Sequence, residues 1–400
     1  MRGSIEVADI FRRFGEAYRK AHDGSIPLRH LRAMRAIEAC RTALLGGHVD
    51  ECDRCGALRV SYNSCRNRHC PKCQSLAKER WVQERKKDLL PVAYFHIVFT
   101  LPEELRPLAL RNQKVIYNLL FKSVSETLME LAKDPKHLGA EIGFTAILHT
   151  WSQTLIDHPH IHCIVTGGGL SSDGKRWVSS RDGFFIPVRV ISRLFRGKFL
   201  WHLKRAYDSG EMGFPGQIAP YKEASKFKGL IGDLYQKEWG VYCKPPFGNA
   251  ERVIDYVGRY THRVAISNDR IVSLEGKEVT FRFRDSEDSD KVKLMTLDAF
   301  EFIRRFLMHI LPDNFVKIRH YGILSNRNRK TKLRLCKELL GVLPHDDQQE
   351  GQTTWEELLY RITRIDPRVC PYCGKGRMIL KEILLPQSDR SPPPGLMIAA

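Results

Sequence analysis

Two histidines flank a single aliphatic residue in the segment His160-Ile161-His162, which three glycines follow at positions 167–169. Side chains alternate between the two faces of a β-strand, so both imidazoles would lie on one face while Ile161 points into a core. Paired imidazoles suit a divalent metal ion. The segment therefore predicts a strand that carries part of a metal site.

The elements predicted around this strand constrain the fold further. Residues 95–101 are rich in β-branched and aromatic residues between two prolines, which is typical of a strand. Helical spacing over 103–137 follows, and then two strands over 143–151 and 160–166. No glycine-rich nucleotide-binding fingerprint follows the first strand. Together with later helices and a hairpin, this order predicts helices packed on a mixed or antiparallel sheet.

The charge of the chain indicates what it binds. Its 65 Lys and Arg residues outnumber 46 Asp and Glu, which gives a formal net charge of +19 and a pI near 9.5. Such an excess favours a polyanionic partner, usually nucleic acid. No apolar run reaches membrane-spanning length, and the N-terminus lacks the apolar core of a signal peptide. We therefore expect a soluble protein in a reducing compartment, without a membrane partner.

The 11 cysteines are an odd number in a long chain, which favours metal binding over a disulfide framework. Cys52-x-x-Cys55 and Cys70-x-x-Cys73 form two knuckles whose four thiolates can surround zinc tetrahedrally. Soft sulfur ligands select zinc. We therefore expect Cys52, Cys55, Cys70 and Cys73 to hold one structural Zn²⁺.

Two further potential ligands, Cys65 and His69, lie between these knuckles, so a second ion or an exchange of ligands is open. The segment Cys370-Pro371-Tyr372-Cys373-Gly374 is half a knuckle without an obvious partner. Cys336 and distant histidines are the candidates to complete it.

Basic residues surround the first cysteine cluster. Arg66, Arg68 and Lys72 lie within it, and a strongly charged helix is predicted over 76–90. A zinc module followed by a basic helix suits contacts with DNA phosphates. The alternative is a charged helix face that contacts only solvent.

A pair of tyrosines, Tyr256 and Tyr260, is spaced to lie on one face of a helix. They could simply pack in a core. Alternatively, a phenolate attacking a DNA phosphate would form a 5′-phosphotyrosine and free a 3′-hydroxyl. Because the tyrosine pKa is near 10, a metal would be needed to polarise the phosphate.

The histidine pair needs a third ligand for such a metal. Gln153, seven residues before His160, is the candidate. His149, His158 and Asp157 are the competing candidates. His158 could instead hydrogen-bond to a ligand without binding the metal itself.

These residues together resemble the rolling-circle transposases of the insertion sequence 91 family, within the HUH endonuclease superfamily. The resemblance extends from about residue 28 to about residue 375 and includes the cysteine region 52–73. The matching blocks are Phe99-Thr100-Leu101-Pro102, His158-Pro159-His160-Ile161-His162-Cys163 with Gly167-Gly168-Gly169, Tyr256-Val257-Gly258-Arg259-Tyr260-Thr261-His262-Arg263, and Arg319-His320-Tyr321-Gly322 with Asn326-Arg327.

The resemblance implies an α+β fold. An HUH palm, with a central antiparallel sheet flanked by helices, follows a small helical, zinc-ribbon-like domain. The expected boundaries are 1–90 for the helical and zinc-binding N-terminus, 91–325 for the catalytic domain, and 326–400 for a basic C-terminal region with the half knuckle and a disordered tail.

The resemblance also implies metal-dependent nicking and rejoining of single-stranded DNA at transposon ends. Tyr256 and Tyr260 would attack the DNA, and His160 and His162 would hold Mg²⁺ or Mn²⁺. Gln153 is added as the third ligand from its place in the chain, not from the resemblance. Zn²⁺ would be structural. The protein would be a cytoplasmic bacterial one that associates with the nucleoid while it acts. The further residues expected to contact DNA are Arg259, Arg263, Arg327, Arg329 and Lys330.

Two other functions compete with this one. A non-catalytic zinc-containing regulator would explain the charge and the cysteines, but would leave both the histidine pair and the tyrosine pair without a role. A plasmid replication initiator or relaxase would use the same chemistry on another DNA. The cysteine region favours the transposase over that second alternative.

Overall fold

The structure, a computed structural model, describes residues 5–181, 183, 185–244, 258, 264–285, 288–342 and 354–387. Three sheets organise these residues, and the strand pairings recorded among them are all antiparallel. No helix in these ranges combines the length and apolar composition needed to cross a bilayer.

The N-terminal region combines helices with a small sheet. Its elements are α1 (Val7–Ala21), α2 (Leu28–Ala39), β1 (Gly47–Cys52), β2 (Leu58–Tyr62) and α3 (Gln74–Lys86). The sequence predicts helices over about 5–45, and α1 and α2 form there, separated by a turn at residues 22–27 around Gly24 in the left-handed region. The charged helix predicted over 76–90 ends at Lys86.

The central sheet has six strands. They are β3 (Tyr94–Thr100), β4 (Ala140–Trp151), β5 (Asp157–Ser171), β6 (Trp177–Ser179), β7 (Val241–Lys244) and β11 (Ile318–Gly322). Their order is β11-β4-β5-β3-β7, with β6 beside the far part of β5. The sequence predicted the three central strands but underestimated the length of β4 and β5.

Four helices cover one face of this sheet. They are α4 (Arg106–Arg111), α5 (Gln113–Lys133), α6 (Val188–Asp208) and α7 (Ala224–Gln236). Phe95, Ile97 and Phe99 of β3 point into the resulting core, as do Ile161 and Cys163 of β5. Because side chains alternate, the histidines at 160 and 162 lie on the opposite face.

A second layer packs against the N-terminal helices. It contains the sheet β8 (Ile271–Glu275), β9 (Glu278–Asp285) and β10 (Lys291–Asp298), followed by helix α8 (Ala299–Met308). Phe11 of α1 meets Phe306 of α8 edge to face, with ring centroids 5.2 Å apart. The sequence predicted the hairpin of β8 and β9 around Gly276, but not β10, the third strand of this sheet.

The C-terminal region returns to the N-terminal one. A π-helical turn at 329–333 leads into α9 (Arg334–Leu339), and α10 (Trp355–Thr363) and β12 (Met378–Leu384) follow. β12 pairs with β1, and α10 packs against α3. The overall class is α+β with an antiparallel palm and an N-terminal cysteine domain, which confirms the fold class expected from the sequence.

Candidate functional site

Three histidines meet on the face of the central sheet opposite the helical core. Strand register places His149 of β4 directly across from His160 of β5, and His162 follows two residues along the same face. Their candidate ligand nitrogens all lie within 4.8 Å of one another. The β4–β5 hairpin therefore builds a compact three-imidazole group.

A separate contact orients each ring. His160 Nδ1 lies 2.6 Å from the carbonyl oxygen of His158, which can only accept, so Nδ1 donates and Nε2 keeps its lone pair for a ligand. The ring of Trp151 stacks on His149 at 4.7 Å. His96 of β3 forms a 2.9 Å hydrogen bond with Nδ1 of His162.

Most of this group is buried. His149 is 2% exposed and His162 is 8% exposed. Burial, reinforced by the nearby Lys244 charge, lowers the pKa of His96 to about 4. A neutral His96 has one donor and one acceptor nitrogen, so it can fix the orientation of His162 without adding charge.

The proposed third ligand and its competitors have different surroundings. Gln153 belongs to the turn 152–156, where its backbone carbonyl accepts from Arg270. His158 orients His160 through its carbonyl. Asp157 is buried in a cleft beside Arg106, and burial raises its pKa to about 7. Among the three competitors, His149 is the residue whose ligand nitrogen lies within 4.8 Å of those of His160 and His162.

The tyrosine motif is described only at one position. Tyr256, Tyr260, Arg259 and Arg263 lie outside the described residues. Gly258, between the two tyrosines in sequence, is buried against α3, and a Cβ atom there would lie 2.7 Å from Val82 Cγ2.

Helix α3 connects that position to the histidine face. Trp81, next to Val82, packs against Tyr94, Ile147 and Ile164 of the central sheet. Ile147 is the cross-strand partner of His162. Gly258 therefore contacts a helix that lies on the same side of the sheet as the three histidines.

The cysteines form two groups rather than the single predicted one. Cys70 and Cys73 join Cys40 and Cys65, with all four sulfurs within 4.8 Å of one another. Cys40 ends α2 and Cys73 precedes α3, and their sulfurs are 3.4 Å apart. Hydrogen bonds from its neighbours, above all Cys40, lower the pKa of Cys73.

The other predicted pair, Cys52 and Cys55, joins Cys370 and Cys373 instead, again within 4.8 Å. The prediction of one site from Cys52, Cys55, Cys70 and Cys73 is corrected by this arrangement. Spacing along the chain pairs the two knuckles, but the pairing of β1 with β12 brings a distant half knuckle closer. Cys336, the predicted partner of that half knuckle, is buried in a separate apolar cluster.

Several of the basic residues predicted to contact DNA make internal contacts. Arg68 donates to the carbonyls of Phe315 and Pro312, Lys72 pairs with Glu6, and Arg329 pairs with Asp88. Among the members of this set that the structure describes, Arg66, Arg327 and Lys330 are exposed.

Two residues of these groups were missed by the sequence. Cys40 follows the apolar spacing of α2 and belongs to no Cys-x-x-Cys motif, so its spacing does not mark it as a ligand. His96 breaks an otherwise apolar strand between Phe95 and Ile97, and alternation alone could have placed it on the face of His162.

Comparisons with known proteins agree with this arrangement. A family model described as "Transposase zinc-binding domain" matches residues 10–101, which include the whole Cys40 group. One described as "Putative transposase" matches residues 143–332, which include the histidine trio.

Two relatives match most of the chain. "Putative transposase y4qJ" of Sinorhizobium fredii (strain NBRC 101917 / NGR234) is 51% identical over 383 residues, 96% of each protein. "Transposase for insertion sequence element IS801" of Pseudomonas savastanoi pv. phaseolicola is 28% identical over 296 residues, 72% of this chain and 68% of that protein. The chain belongs to the insertion sequence 91 family of transposases.

Proposed function

We propose that this transposase nicks and rejoins single-stranded DNA at transposon ends through a covalent bond to Tyr256 or Tyr260. The supporting observation is the three-imidazole group on the face of the central sheet opposite the helical core. The reaction is assigned to the predicted domain 91–325, which contains both the histidines and the tyrosines.

The histidines fit a divalent cation. His149, His160 and His162 would hold it, with His149 taking the place proposed for Gln153. Three neutral imidazoles suit Mn²⁺ better than Mg²⁺, which prefers oxygen ligands. When bound, the cation would offset negative charge on the DNA phosphate as the leaving oxygen departs.

The tyrosine performs the bond exchange. Its phenol oxygen attacks phosphorus, the new phosphorus–oxygen bond forms, and the bond from phosphorus to the 3′-oxygen breaks. The proton lost by the phenol balances the proton gained by the 3′-oxygen. The phosphotyrosine keeps the energy of the broken bond for the rejoining step.

The remaining contacts serve to position these groups. The His158 carbonyl, His96 and the Trp151 ring hold the three imidazoles. Val82 and Trp81 bring the contact at Gly258 to the same side of the sheet. This arrangement supports a nucleophile carried near the histidines.

A covalent-adduct assay tests the proposal. The protein is incubated with single-stranded oligonucleotides that carry the element ends, with Mn²⁺ or Mg²⁺, and denaturation-resistant adducts are separated by electrophoresis. We expect a metal-dependent adduct that Tyr256→Phe and Tyr260→Phe each reduce and that the double variant abolishes. Tyr235→Phe, at an exposed tyrosine on α7, is the matched control and should keep the adduct.

Two results would contradict the proposal. An adduct that persists in the double variant would exclude these tyrosines as nucleophiles. Binding of the correct ends without any adduct from the wild type would instead favour a non-catalytic regulator.

A further inference from the structure

The two half knuckles at opposite ends of the chain have the same local geometry. Cys52-Asp53-Arg54-Cys55-Gly56 and Cys370-Pro371-Tyr372-Cys373-Gly374 both end in a left-handed glycine, with φ of 68° and 66°. In each, the glycine N–H donates to the carbonyl of the first cysteine, at 3.1 Å and 3.0 Å. Both turns therefore present two sulfurs on one side of a tight loop.

The four sulfurs are spaced as a metal requires. Cys52 Sγ lies 3.7 Å from Cys373 Sγ, and Cys55 Sγ lies 3.7 Å from Cys370 Sγ. Tetrahedral zinc with Zn–S bonds of about 2.3 Å places its sulfurs about 3.8 Å apart. These distances are too long for disulfide bonds, and all four cysteines are free.

Backbone groups around the sulfurs are also arranged for thiolates. The N–H of Gly376 donates to Cys373 Sγ at 3.3 Å, and the N–H of Arg54 donates to Cys52 Sγ at 3.5 Å. A Cβ atom at Gly376 would lie 2.3 Å from Cys52 Sγ, so only glycine fits there. Backbone donors of this kind stabilise the negative charge on sulfur.

Strand pairing alone buries little of the segment that completes this group. Ile379, Leu380 and Ile383 of β12 are all more than half exposed. Apart from its ladder with β1, β12 makes an ion pair between Lys381 and Glu51 at 2.7 Å. A strand with so little apolar burial needs another interaction to remain closed across more than 300 residues of intervening chain.

We propose that Cys52, Cys55, Cys370 and Cys373 form a second zinc site, independent of the Cys40 group, that fastens the two ends of the chain together. Binding converts four thiols to thiolates and releases their protons to solvent. Four soft sulfur ligands select Zn²⁺, and a closed four-ligand site is structural rather than catalytic.

The site has a consequence for the rest of the molecule. The C-terminal knuckle follows α10 in sequence, and α10 packs against α3. Helix α3 also contacts Gly258 and the central sheet. The zinc site thereby holds α10 on the helix that lies beside the histidine face.

Metal counting on the full-length protein tests the proposal. Zinc per chain is measured by mass spectrometry of metals after extensive dialysis, for the wild type and for Cys370→Ser with Cys373→Ser. We expect two ions in the wild type and one in the double variant. Cys243→Ser, at a half-buried cysteine outside both groups, is the matched control and should keep two.

Hydrogen exchange provides the second measurement. We expect amides of β1, β12 and α10 to exchange faster in the double variant, while those of α5 in the helical core do not change. The proposal of two independent zinc sites would be wrong if the wild type held one zinc ion. It would also be wrong if the double variant held two zinc ions or none. None of these outcomes depends on the DNA-cleaving activity.

Discussion

His149 is fixed by three neighbours of different kinds. It faces His160 across the β4–β5 ladder, stacks on Trp151, and lies with its ring centroid 4.6 Å from that of His162. A buried imidazole with neighbours on several sides has little freedom to turn away from the cluster. This rigidity supports the proposal that His149, rather than Gln153 of the adjoining turn, is the third ligand.

We predict that His149→Ala lowers metal-dependent adduct formation more than about 100-fold, beyond the 10–100-fold typical of groups that only support a ligand. Gln153→Ala, the matched control in the turn, should change it less than a few fold. The measurement is adduct yield as a function of Mn²⁺ concentration. The reverse order of effects would restore Gln153 as the ligand.

At this scale the sequence predicts what depends on alternation along one strand. His160 and His162 share a face because they are two residues apart in β5. Gln153 was chosen from its distance along the chain. That distance does not reveal that residues 152–156 form the turn between β4 and β5, or that His149 is the cross-strand partner of His160. Partners across a hairpin depend on where it turns.

Among the elements, helix α3 contacts several separate parts of the fold. Cys73 of the Cys40 group precedes it, α10 packs against it, and its Trp81 contacts the central sheet. The sequence indicated a charged helix for DNA phosphates. In the structure its buried residue, Val82, is the contact for Gly258.

We predict that Gly258→Ala reduces adduct formation and lowers stability by about 1–3 kcal/mol, because an added methyl group would overlap Val82 Cγ2. Valine is stiff and cannot turn aside easily. Val82→Ala in the same chain removes the overlapping atom and should restore much of the activity. The measurements are adduct rate and thermal unfolding.

The control for this pair is Gly197→Ala on α6, where an added Cβ would meet nothing within 4 Å. It should leave activity unchanged. If Val82→Ala fails to improve the Gly258→Ala variant, the contact at α3 does not position the tyrosine segment.

Elements whose partners are distant were the hardest to predict. β11 and β12 are short or exposed on both faces, so neither shows the alternation that marks a half-buried strand. β12 is a strand because β1 lies beside it, and β1 is in another part of the sequence. The same reason explains why the cysteine pairs were combined wrongly.

For the whole molecule, the net charge of +19 is the property most directly linked to DNA. Much of the local charge is neutralised within the fold: Arg329 pairs with Asp88, and Lys332 pairs with Glu141. Arg327 and Lys330 are exposed beside these paired residues. Exposed cations remain available to release counterions from DNA, whereas paired cations stabilise the protein.

We predict that affinity for single-stranded DNA falls steeply as salt rises. Each phosphate contact contributes a slope of about −0.7 in a plot of log affinity against log salt. Replacing both Arg327 and Lys330 with Ala should therefore make the slope shallower by up to about 1.4. Fluorescence anisotropy of a labelled oligonucleotide over a range of NaCl concentrations measures it.

Arg329→Ala is the matched variant in the same turn. It removes a partner of the mostly buried Asp88 carboxylate, which keeps Arg85 at 3.1 Å. We expect it to lower thermal stability and to change the salt slope by less than the exposed pair does, because its guanidinium is already occupied within the protein. If Arg329→Ala flattens the slope as much as the Arg327 and Lys330 double variant does, DNA must break the ion pair between Arg329 and Asp88. In that case, an ion pair in the free protein would not distinguish a structural cation from one that binds DNA.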